Sequence, residues 1–170
     1  MARKHAHEGP ARAVRVHLVT VSTSRSAATD ESGPLMRELV EAHGHAVSGT
    51  SLVPDDPDDI GALLDRLAGE DAEAIVLSGG TGVSARDCTP AVLRSRLDRE
   101  LPGFGELFRM LSFQEIGSAA MLSRAVAGII ADKVVFSMPG SSGAVKLAMN
   151  QLILPELGHV VRELRKTGSN

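Results

Sequence analysis

Short, nearly unbroken runs of β-branched and aliphatic residues alternate with amphipathic stretches along this chain, and that alternation restricts its fold more than any other feature. RVHLVTVS, starting at Arg15, and AIVLS, residues 74–78, lack the polar–apolar alternation of a half-exposed strand. They read as strands buried on both faces. A weaker strand is expected from His45 to Val53, ended by Pro54. Between them, Leu35, Met36, Leu39 and Val40 fall at helical spacing, with Gly44 as the stop. Ile60, Leu63, Leu64 and Leu67 stand at i, i+3, i+4 and i+7, with Asp58 or Asp59 as the expected N-cap. TPAVLRSRL, then FGELFRMLSF after a Pro-Gly break, then SAAMLSRA are helical in pattern. VAGII and KVVFSM, separated by Ala-Asp, suggest a hairpin. A last helix carries Val145, Ala148, Met149, Leu152 and Ile153 on one face, and Pro155 restarts a terminal helix to about Arg165. The reading is an α/β fold, doubly wound, with a mostly parallel sheet, helices on both faces and a small hairpin.

The chain is 170 residues long, the size of one domain. A folded unit is expected at 14–166, between a flexible lead-in at 1–13 and a tail at 167–170. Eighteen Lys+Arg against twenty-one Asp+Glu leave no basic footprint for nucleic acid or an anionic membrane. No apolar run approaches the ~20 residues of a membrane span. One cysteine excludes an internal disulfide framework and fits a reducing, cytoplasmic setting; the charged N-terminus lacks a signal-peptide pattern. With four Phe, no Trp and no Tyr, a flat ligand must be held mainly by backbone, aliphatic groups and hydrogen bonds.

Ligands of open α/β sheets bind outside the carboxyl ends of the strands. Four polar loops qualify: STSR headed by Ser22, the PDD of Asp55, SGGTG (Ser78, Gly79, Gly80, Thr81, Gly82), and PGSSG with Pro139, Gly140 and Ser141. Three glycines in four positions permit positive φ and close approach of amides to an anion, so SGGTG reads as a phosphate loop or as a tight turn. Its spacing is neither that of the nucleotide P-loop nor GxGxxG. Asp87 either caps the helix opening near Thr89 or aims a carboxylate at Mg²⁺ in the phosphate site. Asp55 directly follows the strand-ending Pro54 and either faces the ligand edge or serves the helix start, whereas Asp58 and Asp59 suit the helix dipole. PGSSG offers a second phosphate site or a simple N-cap by Ser141 or Ser142. Cys88 has no His nearby in sequence, and the six His show no zinc spacing.

SGGTG followed by RDxTP, PGFGELFR, MLSRAVAG and SMPGS closely resembles the MoaB/MogA family of molybdenum-cofactor biosynthesis, from about Val14 to Glu163. GELFRMLSFQEIG and LILPELGHVV resemble the MoaB branch more than the MogA or gephyrin G-domain branch. The resemblance implies adenylylation of molybdopterin by ATP with Mg²⁺, releasing pyrophosphate. It implies Asp55 and Asp87 as the functional, metal-positioning aspartates, with Gly79, Gly80, Thr81 and Gly82, then Pro139, Gly140 and Ser141, as binding loops. A homotrimer or hexamer and hand-over to a molybdenum-insertion enzyme are implied as well. Thr23 stands where relatives often carry an acid, and Gly143 where they often carry a lysine. A non-catalytic pterin- or nucleotide-binding protein of the same fold is the alternative, and a CinA-like nucleotide pyrophosphatase a third reading. The apolar stretch with Phe104, Phe108, Leu111 and Phe113 fits either a subunit contact or core.

Overall fold

The computed structural model describes residues 12–166. The lead-in expected at 1–13 and the tail at 167–170 lie outside the described residues except for residues 12 and 13, where Arg12 pairs with Glu73 at 2.9 Å. In chain order the elements are β1 (Arg15–Val21), α1 (Ser32–Ala42), β2 (Ala46–Val53), α2 (Pro57–Ala68), β3 (Ala74–Ser78), α3 (Thr89–Arg94), β4 (Arg99–Glu100), α4 (Pro102–Ile116), β5 (Val126–Ile130), β6 (Lys133–Met138), α5 (Ser142–Ala148) and α6 (Leu154–Lys166). A 3₁₀ helix, Gly117–Leu122, follows α4, and a π-helical segment, Met149–Ile153, joins α5 to α6 without a break.

One six-stranded sheet runs in the order β2-β1-β3-β6-β5-β4. The first four are parallel, and β5 and β4 are antiparallel additions built on the hairpin. Successive residues of each strand serve opposite faces. Val16, Leu18, Ala74, Val76, Val134 and Phe136 meet α1, α4, α5 and α6 on one face. Val19, Val21, Ile75, Leu77 and Val135 meet α2 and α3 on the other. Both faces of β1, β3 and β6 are thereby covered, which is why their sequences are continuously apolar. The chain leaves β1 toward β2 on one side and returns to β3 on the other, so the order reverses between β1 and β3. That switch point opens toward the carboxyl ends of the four parallel strands.

Two local expectations are revised and one open choice is divided between its alternatives. The N-cap of α2 is Asp56, whose carboxylate accepts from the amides of Asp58 and Asp59. Pro57, lacking an N–H and fixed near helical φ, takes the first helical position and moves the start forward. The SAAMLSRA stretch forms only the 3₁₀ turn before β5, because the ladder claims the chain from Val126. Of the four apolar residues singled out on α4, Phe104 and Phe108 are core and Leu111 packs against it, whereas Phe113 is 60% exposed. No helix among the described residues is long and apolar enough to cross a membrane.

Candidate active site at the carboxyl edge of the sheet

The parallel order of β2, β1, β3 and β6 brings all four loops to one edge. Ser22 donates its amide to Val53 O at 2.8 Å, joining the loop after β1 to the end of β2. Gly79 donates to Met138 O at 2.9 Å, joining the loop after β3 to the end of β6. Glycine is required here: Gly79 has φ +110°, and a Cβ would lie 2.2 Å from Val21 O. At Gly140 a Cβ would meet Gly79 Cα at 3.4 Å, so the two glycine-bearing loops touch. Pro139 is half-buried beside it, and Ser141 caps α5 by accepting from the Ala144 amide.

Both candidate aspartates pack against glycines of the same loop. A Cβ on Gly80, φ +65°, would lie 2.8 Å from Asp55 Oδ1 and 2.3 Å from Thr89 Oγ1. A Cβ on Gly82 would lie 2.9 Å from Asp87 Oδ2. Asp55 is held from behind, its Oδ2 accepting from the Thr23 amide at 3.1 Å and hydroxyl at 3.2 Å. Asp87 caps no helix: its Oδ2 accepts from the Ser84 amide at 2.9 Å, folding the carboxylate onto its own loop. Both aspartates are half-buried, open enough for a ligand and enclosed enough to act through reduced screening.

Cys88 lies between these carboxylates. Burial pushes its thiol pKa up, and Asp55, Asp56 and Asp87 add to the rise, so it stays a thiol near neutral pH. The amides of Gly80, Thr81, Gly82 and Val83 donate to no group among the described residues. A run of free amides with glycine at positive φ is an anion-binding concavity. The buried hydroxyls of Ser78, Thr89 and Ser137 likewise find no protein partner.

Several residues at this edge carry no local sequence signal. Arg25 donates from Nη1 to Ser32 Oγ at 2.9 Å, and Ser32 Oγ donates to Gly140 O at 2.9 Å. This relay ties the first loop to the last and places a guanidinium at the edge that Gly143 leaves uncharged. Arg124 donates to the carbonyls of Gly82 and Asp87. Asp30, between β1 and α1, accepts from Thr20 Oγ1 and from the amides of Ser32 and Gly33.

The side chains that could ligate a cation are oxygen throughout, two carboxylates and neighbouring hydroxyls, with the backbone amides left to bind anions. This set matches Mg²⁺, which takes one or two carboxylates and fills its remaining positions with water and substrate phosphates. Among the described residues no three His, Cys, Asp or Glu side chains gather to hold a metal by themselves.

Fold and site together define a three-layer α/β protein with a glycine loop, two carboxylates and free amides at its switch point. The model for the family described as "Probable molybdopterin binding domain" matches residues 17–159. The chain belongs to this family, the MoaB/MogA group of molybdenum-cofactor biosynthesis proteins. It is 53% identical over 165 residues to molybdenum cofactor biosynthesis protein B of Halalkalibacterium halodurans, covering 96% of each chain. A crystal structure of a molybdenum cofactor biosynthesis protein B superposes with a TM-score of 0.89 at 51% identity, over 93% of this chain and 99% of that one. The tungsten cofactor synthesizing protein MoaB from Pyrococcus furiosus gives 0.82 at 34% identity, over 92% and 99%.

Proposed function

We propose that the protein binds molybdopterin and transfers an adenylyl group to its terminal phosphate from Mg-ATP, releasing pyrophosphate. The observation that carries this reading is the seating of Asp55 and Asp87 against Gly80 and Gly82, in spaces that a Cβ would fill. Two carboxylates flanking a loop of free amides suit the meeting of a triphosphate and a phosphate monoester. The amides of residues 80–83 hold phosphate oxygens, and Asp55 and Asp87 are the residues that would hold Mg²⁺. When bound, Mg²⁺ supplies charge neutralisation to the triphosphate. The pterin phosphate oxygen attacks the α-phosphorus, forming the new P–O bond as the bond to the β-phosphate oxygen breaks. Positioning and electrostatic stabilisation supply the catalysis in such a transfer, and no protein nucleophile is required. Thr23, by donating twice to Asp55 Oδ2, fixes that carboxylate and leaves Oδ1 facing Gly80.

The exposed row of Leu107, Met110, Phe113 and Ile116 on α4, continued by Met121 and Leu122, supports self-association as a homotrimer. Adenylylated pterin is then the product passed to a molybdenum-inserting enzyme.

A test is to incubate wild type and Asp87→Ala with molybdopterin, Mg²⁺ and ATP and to follow adenylylated pterin and pyrophosphate. Equal formation of both by wild type, with a fall of at least about a hundredfold in the variant, is expected. Pterin bound but returned unchanged by wild type overturns the enzyme reading and favours the binding protein. Full activity of Asp87→Ala overturns the assignment of that residue.

A further inference from the structure

Arg124 lies just before β5, far from residues 78–88 in sequence, yet three of its donors are spent on that loop. Its amide donates to Thr81 O at 3.0 Å, its Nε to Gly82 O at 2.7 Å, and its Nη2 to Asp87 O. None of these is a carboxylate, so the half-buried guanidinium is fastened to the backbone. In a trans peptide the N–H points opposite to the preceding C=O, and no cis peptide occurs among the described residues. Drawing the carbonyls of Thr81 and Gly82 toward Arg124 therefore turns the amides of Gly82 and Val83 away from it. Those two amides have no acceptor among the described residues. Gly82, with no side chain, then leaves the Asp87 carboxylate packed on the same turn.

We infer that Arg124 is a positioning residue: its guanidinium fork, held on the Gly82 and Asp87 carbonyls, aims the Val83 amide at phosphate and sets the turn that carries Asp87, while its own backbone amide aims that of Gly82. Arginine suits the task because one planar fork meets two carbonyls at fixed separation, which an ammonium does not. This inference rests on the reading of residues 79–83 as the phosphate loop.

The test measures binding of pyrophosphate in the presence of Mg²⁺ by titration calorimetry, beside thermal unfolding, for wild type, Arg124→Lys and Arg124→Ala. Wild type binds. Both variants bind about tenfold or more weakly, because the Val83 amide loses its aim and the turn carrying Asp87 is released. Low-millimolar guanidinium restores binding by Arg124→Ala. Affinity equal to wild type in either variant overturns the role of the fork. Weakened binding accompanied by a lowered melting temperature and no guanidinium rescue makes Arg124 merely structural and also overturns it. No binding by wild type overturns the phosphate-loop reading itself and this inference with it, which separates the two failures.

Discussion

Gly80→Ala probes the closest packing in the site. Gly80 sits at φ +65°, which costs a residue with a Cβ about 1–2 kcal/mol. The new methyl would also lie 2.3 Å from Thr89 Oγ1 and 2.8 Å from Asp55 Oδ1. Thr89 is wholly buried and cannot swing away, so the overlap adds about 1–3 kcal/mol. The two effects sum to about 3 kcal/mol, or a fall in Tm of about 6–12 °C for a domain of this size. Asp55 must yield as well, so adenylyl transfer should fall more steeply than stability. Gly143→Ala is the matched control. It lies in the first turn of α5 with nothing within 4 Å of its Cβ position, and it should be neutral or stabilising by up to about 1 kcal/mol. Circular dichroism melts of both variants decide the matter. A Gly80→Ala protein melting within about 2 °C of wild type would contradict both effects, since the positive φ and the overlap together set the magnitude.

Three further outcomes are expected. Glu73, with a side chain 7% exposed, accepts from Arg12, the Arg15 amide and Arg165. Burial works to raise its pKa, but these partners outweigh it and the net direction is downward. Its contribution is therefore complete above the ordinary value of 4.5 and lost as pH falls through the depressed folded value; Glu73→Gln should cost about 2 kcal/mol at pH 7 and progressively less as pH falls below 4.5, read by urea denaturation. His45 Nδ1 accepts from the Val14 amide at 3.2 Å, a bond the imidazolium cannot accept, and burial, then His43, lowers its pKa. Stability should thus decline as pH falls below 6.5 and level off below the folded value. Buried His17 contributes in the same direction, and a flat Tm between pH 7.5 and 5 in wild type would contradict both. Phe113→Asp should convert a trimer of 17.8 kDa chains to monomer in light scattering, and a wild-type monomer at micromolar concentration would sink the self-association proposal.

What the sequence discloses here depends on how local its physical cause is. β1 and β3 are legible because a strand covered on both faces must be apolar at every position. The convergence of the four loops follows once those strands are parallel. β4 is not legible: two exposed residues, Arg99 and Glu100, leave no period to read, and only β5 makes them a strand. The cap of α2 falls on Asp56 rather than on Asp58 or Asp59 because the decisive residue is Pro57, not the acids around it. At the site, the glycines and Asp55 and Asp87 stand out as motifs, whereas the Arg25–Ser32–Gly140 relay joins residues 108 positions apart and has no local pattern. Arg124 falls within SAAMLSRA, a stretch whose periodicity reads as helix and conceals that one side chain reaches back to the carbonyls of Gly82 and Asp87.

In the proposed reaction this edge of the sheet joins a pterin phosphate to the α-phosphorus of ATP. The most direct measurement supplies molybdopterin and Mg²⁺ with ATP labelled at either the α- or the γ-phosphorus, and separates pterin from pyrophosphate. Adenylyl transfer leaves α-label on the pterin and γ-label in pyrophosphate alone. Retention of both labels in intact ATP, or γ-label on the pterin, would contradict it.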